Sequence, residues 1–413
     1  MRSTVVRQLA EVHGADPRPE SPGRRLLVLD PDEVGAILHS KNFRRTDFVR
    51  QLSGSGLLAT DGTFWRERRR IVQPSFPVRE PEAHLESIEW AMPGFVKRLG
   101  RAADDGQVMC LLDEMMRVIS RIVYRAVFGV ELDPDEDRVS TFQPMMEAVG
   151  AVHWSLVAPG GKIDAGAISR LEQTRALADE EIAWILERRR SVDVGVDDAL
   201  GRLLAAQADG QIDEEGIHDE VRSLVLAATE TSANSLVWCL LLLDDHPEVA
   251  ESIDAELKAG LGDAAIDAAI WETLRLYPPV WANERQAIET TVQGERTWEL
   301  GDRAVISAYR LHRDPKYWNE PDLFKPARFA ASPDGRWQPP HRFAYMPFGA
   351  GPHLCIGRNL ALLEMRRIIW EILSGFRLEF ESPIAIEPIL GIVMRPSSPV
   401  TVRIRRQGAE ATA

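Results

Sequence analysis

The chain is dominated by stretches in which apolar residues recur every three or four places, the period of one helix face. Such runs cover residues 86–101, 111–128, 169–190 and 217–244, and another, 359–373, follows a glycine-rich segment. Pro93-Gly94 interrupts the first of them. Near the N-terminus RLLVL reads as a short strand. A helix to Ser40 follows, opened by Asp30-Pro31-Asp32, because proline and acids in the first turn are start signals. Shorter β-type runs lie at residues 290–300, 304–307, 376–379 and 400–404, with Gly294 and Gly301 at turns. The pattern predicts a mainly α fold with small β-sheets (α+β).

Composition narrows this further. The chain has 413 residues, 45% hydrophobic and 27% charged, which is enough apolar material for a large core. No long Gly/Ser or Pro-rich linker and no internal repeat divides it, so a single domain over 1–413 is expected, with segments 1–24 and 406–413 flexible. Lys plus Arg number 49 against 63 Asp plus Glu, a net charge of −14, which disfavours a general nucleic-acid binder. The first twenty residues hold no long apolar segment, and the most apolar internal run, 236–243, reads as core helix. No membrane anchor and a cytoplasmic location are therefore expected. The three cysteines have no paired spacing, so neither a disulfide framework nor a zinc site is indicated, and Cys110 and Cys239 read as small core hydrophobes.

Cys355 is different. It lies in FGAGPHLCIG, residues 348–357, just ahead of the apolar helix. Gly349, Gly351 and Gly357 permit backbone angles that let a flat cofactor lie close to the main chain. Backbone N–H groups and a helix N-terminus would stabilise a sulfur anion. The stretch resembles the haem-binding loop of the cytochrome P-450 monooxygenases, F-x-x-G-x-[HR]-x-C-x-G, at Phe348, Gly351, His353, Cys355 and Gly357. Four more motifs stand in that family's order. LAATETSANS, residues 226–235, places a carboxyl and a hydroxyl inside an apolar helix and resembles the oxygen-activation motif. Ala228 stands where the family usually has glycine. WETLRLYPP, residues 271–279, resembles the E-x-x-R helix, and FKPARF, residues 324–329, supplies a third partner. Trp65 and Arg69 resemble the W-x-x-x-R helix.

The resemblance implies the cytochrome P-450 fold, with haem b between a long central helix and the cysteine loop. It implies Cys355 as axial ligand to the iron, with Ala227, Phe348, Gly349 and Gly357 against the cofactor. Trp65, Arg69, Arg285 and His353 would meet the propionates. Thr231 would hydrogen-bond dioxygen and Glu230 would route protons. Glu272, Arg275 and Arg328 would form a charge-assisted structural network. The substrate pocket would draw on residues 43–55, 142–167, 223–227, 280–283 and 392–394, with Trp154, Val280, Trp281, Ile392, Val393 and Met394 apolar and Asn283 an orienting polar group. A hydrophobic small molecule, terpenoid or polyketide, is the expected substrate for hydroxylation in specialised metabolism, with O2 as co-substrate. The sequence has no G-x-G-x-x-G fingerprint and no iron–sulfur cysteine set. NAD(P)H would thus act indirectly, through a ferredoxin (or flavodoxin) and its reductase, steered by Arg66, Arg68, Arg70, Arg342, Arg358, Arg366 and Arg367. The alternatives are a peroxide-using or rearranging haem-thiolate enzyme and a non-catalytic haem sensor.

Overall fold

The structure is a computed structural model that describes residues 23–46, 50, 54–77, 81–134, 136, 138, 143–157, 165–191, 197–330, 338–381 and 387–407. Strand β1 (Arg25–Val28) leads into helix α1 (Pro31–His39) and the short strand β2 (Phe43–Arg44). Asp30 caps α1, its side chain accepting the backbone N–H groups of Asp32 and Glu33, and Pro31 occupies the first helical turn. Helices α2 (Gly62–Val72) and α3 (Leu85–Asp105) follow, then β3 (Val108–Cys110) and α4 (Leu111–Phe128). Helix α3 runs straight through Pro93-Gly94, contrary to the interruption expected there. A side chain at Gly94 would place its Cβ 2.3 Å from the Arg121 guanidinium, so the glycine provides close approach of α4 rather than a helix end.

Helices α5 (Gln143–Val157), α6 (Ala165–Arg190) and α7 (Ala199–Ala208) precede the centre of the molecule. The run expected as one helix over 217–244 is two: α8 (Glu214–Ala228) and α9 (Glu230–Asp245), divided at Thr229. Thr229 Oγ1 donates to Val225 O at 3.1 Å and Thr231 Oγ1 to Ala227 O at 2.9 Å. Hydroxyls that bond carbonyls one turn back compete with the helical N–H groups and bend a helix. By length and composition the stretch Glu214–Asp245 could cross a membrane, but 78% of its most apolar window is buried inside the molecule. Helix α9 packs on α4, on α10 (Pro247–Lys258), on α11 (Ala264–Leu276) and on the late helix α12 (Arg358–Gly375), and so forms the axis of the main core.

The sheets are peripheral. Strands β4 (Asn283–Ala287), β5 (Thr291–Gln293), β6 (Arg296–Trp298) and β7 (Arg303–Ile306) lie between α11 and α12. One sheet has the order β1-β7-β4-β2, with β1 parallel to β7 and the other pairs antiparallel. Its register sets Arg285 opposite Ala304. Strands β5 and β6 form a hairpin inside the β-type run expected over 290–300, turning at Gly294. After α12 come β8 (Phe376–Phe380), β9 (Pro388–Leu390), β10 (Met394–Pro396) and β11 (Thr401–Arg406), with β11 between β3 and β8 and β9 paired to β10.

Candidate active site

The loop before α12 is built by two left-handed glycines. Gly349 (φ +72°) and Gly351 (φ +70°) adopt a backbone that other residues resist, whereas Gly357 (φ −85°) caps α12 with an ordinary one. Cys355 N–H donates to Phe348 O at 3.0 Å, closing the loop on itself. Cys355 and Leu354 keep accessible surface at its tip. The other sides of the sulfur are crowded by protein, and this burial pushes the thiol up. The Gly357 backbone N–H, Arg69 and Arg358 oppose the shift. The anion-stabilising donors expected from the sequence are therefore in place, but they do not ionise the free thiol by themselves.

A buried ion network supports this loop from behind. Glu272 and Arg275, three apart on α11, are both 0% exposed. All five Arg275 N–H donors are used: two on Glu272 at 2.6 and 2.8 Å, the others on the carbonyls of His312, Pro321 and Leu323. Arg328 Nε reaches the same carboxylate at 3.1 Å. Sequence reasoning missed the link to the loop, His312. Burial, then the Arg275 charge, push its imidazole down to about 3, so it is neutral. Its Nε2 accepts the Met346 N–H at 2.9 Å, which leaves Nδ1 to donate to Arg275 O at 3.2 Å. One imidazole thus joins the ion pair to the segment that carries Phe348. The signal was available in HRDP, residues 312–315, a histidine beside the arginine-rich segment, but nothing in its spacing marks a partner.

At the α8–α9 junction, Ala227 is exposed and Ala228 and Thr231 are half-buried, although the helices around them are core. Glu230 is 9% exposed and its Oε2 has no hydrogen-bond partner. Burial raises its carboxyl to about 7, with Arg395 lowering it and Glu147 raising it. An acid near neutrality beside an accessible hydroxyl is suited to proton handling.

A third cluster is cationic. Trp65 is buried, its ring 4.2 Å from that of His353, and the Arg69 guanidinium lies 5.9 Å from the indole. Arg69 also donates to Leu354 O at 3.2 Å, beside the cysteine. Burial lowers Arg285, and Arg45 is pushed down to about 9 by burial and then by the neighbouring Arg285 charge, with Arg69 adding to the effect. Asp61 is the acid that acts on this group. Burial works against its carboxylate, but hydrogen bonds from His353 and from the Arg45 backbone N–H outweigh it and hold it below its usual range. Arg45 was not foreseen: in FRRTD it reads as a surface charge after a strand. The expectation for His353 changes too, since its Nε2 is taken by Asp61 at 3.0 Å and its buried Nδ1 has no partner.

Among the expected pocket residues, Val280 is exposed and Asn283 half-buried. Trp281 and Met394 instead pack with Val305 and Leu390 in a small cluster, and the Trp281 indole donates to Gly391 O at 2.7 Å. Val393 belongs to the main core. These three side chains are buried in packed apolar clusters, Met394 from strand β10 and Trp281 and Val393 from the segments just before β4 and β10. Residues 47–49, 51–53, 142 and 158–164, and the side chain of Trp154, lie outside the described residues. The basic face also loses members. Arg68 is buried against Glu220, Arg366 pairs with Asp267, and Arg367 with Glu89 and Glu371. Arg66, Arg70, Arg342 and Arg358 remain exposed.

The glycine loop presenting Cys355, the buried Glu272–Arg275 pair behind it and the Glu230–Thr231 pair on the broken central helix are the elements that the haem-thiolate resemblance in the sequence leads one to expect. The sequence profile of the cytochrome P-450 class matches residues 6–403, and the chain belongs to the cytochrome P-450 family. It is similar to two proteins of Streptomyces melanosporofaciens. One is cyclooctatin synthase (30% identity over 376 residues, covering 84% of this chain and 76% of the relative). The other is cyclooctat-9-en-7-ol 5-monooxygenase (31% over 386 residues, covering 86% and 81%). Among solved structures it resembles a 6-coordinated cytochrome P-450 of Thermus thermophilus, at 25% identity, TM-score 0.70 and 92% coverage of both chains. A cytochrome P-450 haem domain gives a TM-score of 0.78 at 24% identity, covering 93% of this chain and 88% of that one. The family establishes a haem enzyme of the monooxygenase class. The residues fit that cofactor: an accessible thiol for the iron, and Arg45 and Arg285 sharing the single carboxylate of Asp61 with Arg69 close to Arg45, a surplus of positive charge suited to two propionates.

Proposed function

We propose that the chain hydroxylates a hydrophobic terpenoid-type molecule, with electrons from a separate ferredoxin or flavodoxin and its NAD(P)H-dependent reductase, in the cytoplasm. The observation that carries the oxygenase reading is that one chain holds both an accessible Cys355 in a glycine loop and the Glu230–Thr231 pair at the break in its central helix. When bound, haem supplies the activation of dioxygen, and a thiolate ligand favours O–O cleavage. The protein does the rest. Cys355 would hold the iron, and Arg45, Arg69 and Arg285 would hold the propionates. Glu230, near neutrality, would take a proton from water and pass it toward Thr231. A peroxide-using enzyme has no need of that pair, because peroxide brings its own protons.

The substrate class is supported by the two Streptomyces relatives, one named for a carbocyclic alkenol. The exposed arginines Arg66, Arg70, Arg342 and Arg358, on a chain of net charge −14, support an acidic electron donor. The test is a titration of the ferric haem band of the purified protein with cyclic terpene alcohols and, separately, with polyketide intermediates. A high-spin shift with the terpenoids alone supports the assignment. A shift with the polyketides alone overturns it. Cys355→Ser protein should lose the thiolate-type carbonyl band, and its retention would remove Cys355 as ligand.

A further inference from the structure

Two adjacent acids of α8 reach for the same stretch of backbone. Asp219 Oδ2 accepts the Ser55 N–H at 2.7 Å, and Glu220 Oε2 accepts the Leu57 N–H at 3.0 Å. The stretch lies so close to the helix that a side chain does not fit at its other two positions. A Cβ at Gly54 (φ +65°) would overlap Asp219 Oδ1, and one at Gly56 would overlap Ser223 Oγ and come to 2.5 Å from Asp219 O. The two acids are held differently. Asp219 is braced by Arg222, which donates to it at 2.6 Å and to Asp179 of α6 at 2.5 Å. Glu220 is 1% exposed and only half satisfied. Its Oε1 has no hydrogen-bond partner, and Arg68 Nε of α2 stands 3.9 Å away, beyond hydrogen-bond reach. We propose that Asp219 and Glu220 form a clasp that fastens residues 54–57 to the central helix, with Asp219 its fixed half and Glu220 the half that lets go on ionising.

A buried carboxylate is costly unless donors meet its charge. Here one oxygen has a single N–H and the other has none. The charged groups that act on Glu220 are Arg68, which favours its anion, and Asp219, which opposes it. The cation nearest on α8, Arg222, is committed to Asp219 and Asp179. Burial outweighs the Leu57 N–H and Arg68 and raises the Glu220 carboxyl to about 7. When the segment lifts, Glu220 meets water and returns to the ordinary glutamate value of 4.5. The closed clasp therefore binds a proton more readily than the open one. Acid keeps it shut, and it loosens as pH rises through 7. The residues it holds overlap the stretch 43–55 expected to border the pocket, and they lead into α2, which carries Trp65 and Arg69. Glu220 is thus a positioning residue for the pocket edge. That consequence, though not the clasp itself, rests on the haem-enzyme reading.

The experiment is hydrogen–deuterium exchange of peptides covering residues 54–60 in the ferric holoprotein, wild type against Glu220→Gln. The amide still accepts the Leu57 N–H but cannot ionise. Comparing the two proteins at each pH cancels the intrinsic exchange rate. The ratio of wild-type to Glu220→Gln exchange should be near one at about pH 6 and rise about tenfold by about pH 8. Gly56→Ala pushes the segment off α8 without touching the charge, and should exchange fast already at the lower pH. A flat ratio would mean that Arg68 closes on the anion and keeps the clasp shut, and would overturn the proposal. Slow exchange in Gly56→Ala would overturn it too. Stopped-flow binding of 4-phenylimidazole to the haem iron reads the pocket edge. Its rate should follow the same ratio, and an unchanged rate beside rising exchange would remove Glu220 from that edge. Failure of the haem-enzyme reading looks different: 4-phenylimidazole would then shift no haem band in the wild type at any pH, whatever the exchange.

Discussion

Thr231 gives its hydroxyl proton to Ala227 O, and its own carbonyl accepts Ser235 Oγ at 2.8 Å. The hydroxyl oxygen therefore keeps lone pairs for a partner on the accessible side of the helix. Thr231→Ala should still consume NAD(P)H but release peroxide. Product per electron pair should fall about tenfold, the size expected from losing one hydrogen bond to a charged group. Unchanged yield in a coupled assay would reduce Thr231 to a helix-bending residue. The same logic separates Glu272 from Glu230. Glu272 is as deeply buried, but each of its oxygens faces arginine donors, so it is fixed and structural. The residues legible in the sequence were those whose spacing puts partners on one face, such as Glu272 with Arg275 and Trp65 with Arg69. Arg45 and His312 escaped because they meet their partners only through tertiary folding.

At the scale of elements, helix periodicity located α4 and α12 almost to the residue, because an apolar stripe must face the core over its whole length. It failed where single residues oppose the period. Hydroxyl bonds to the preceding turn split α8 from α9 without changing the apolar pattern. In α3, Pro93-Gly94 looked like an end and is a packing device. Arg121 is 3% exposed and held by Leu132 O and Ala91 O, with its guanidinium 4.4 Å from the Trp90 ring centre. Gly94→Ala would add up to about 1 kcal/mol of helix propensity. It would also drive a Cβ to 2.3 Å from that fixed guanidinium. Overpacking wins, and the variant should lose about 1–3 kcal/mol in thermal unfolding. A stabilised Gly94→Ala protein would show instead that Arg121 moves aside freely. Strand β4 was not anticipated at all, since NERQA carries no apolar alternation and is held as a strand by β7 and β2 on its two sides.

For the molecule as a whole, the buried titratable groups predict how stability follows pH. Burial raises Glu364 to about 8, with Ser232 lowering it, and raises Glu220 and Glu230 to about 7. A folded-state pKa above the unfolded one means that the native chain binds more protons. The stabilising contribution of these acids is then complete below the ordinary glutamate value of 4.5 and is lost as pH rises through 7 to 8. His312 works in the opposite sense. Its folded value of about 3 lies below the ordinary 6.5, so its contribution is complete above 6.5 and disappears as pH falls toward 3. Three acids outweigh one imidazole, and the holoprotein should lose stability from about pH 5 to about pH 8, the interval between the unfolded and folded values of those acids. Glu364→Gln isolates the largest of these contributions. The amide keeps a polar group for Ser232 but cannot ionise. Across that interval the variant should lose less stability than the parent by an amount on the order of 3 kcal/mol. Parallel pH curves for the two proteins would show that Glu364 finds a partner for its anion when the pH rises. In that case the unsatisfied Oε2 that the structure places between α9 and α12 must be met by water.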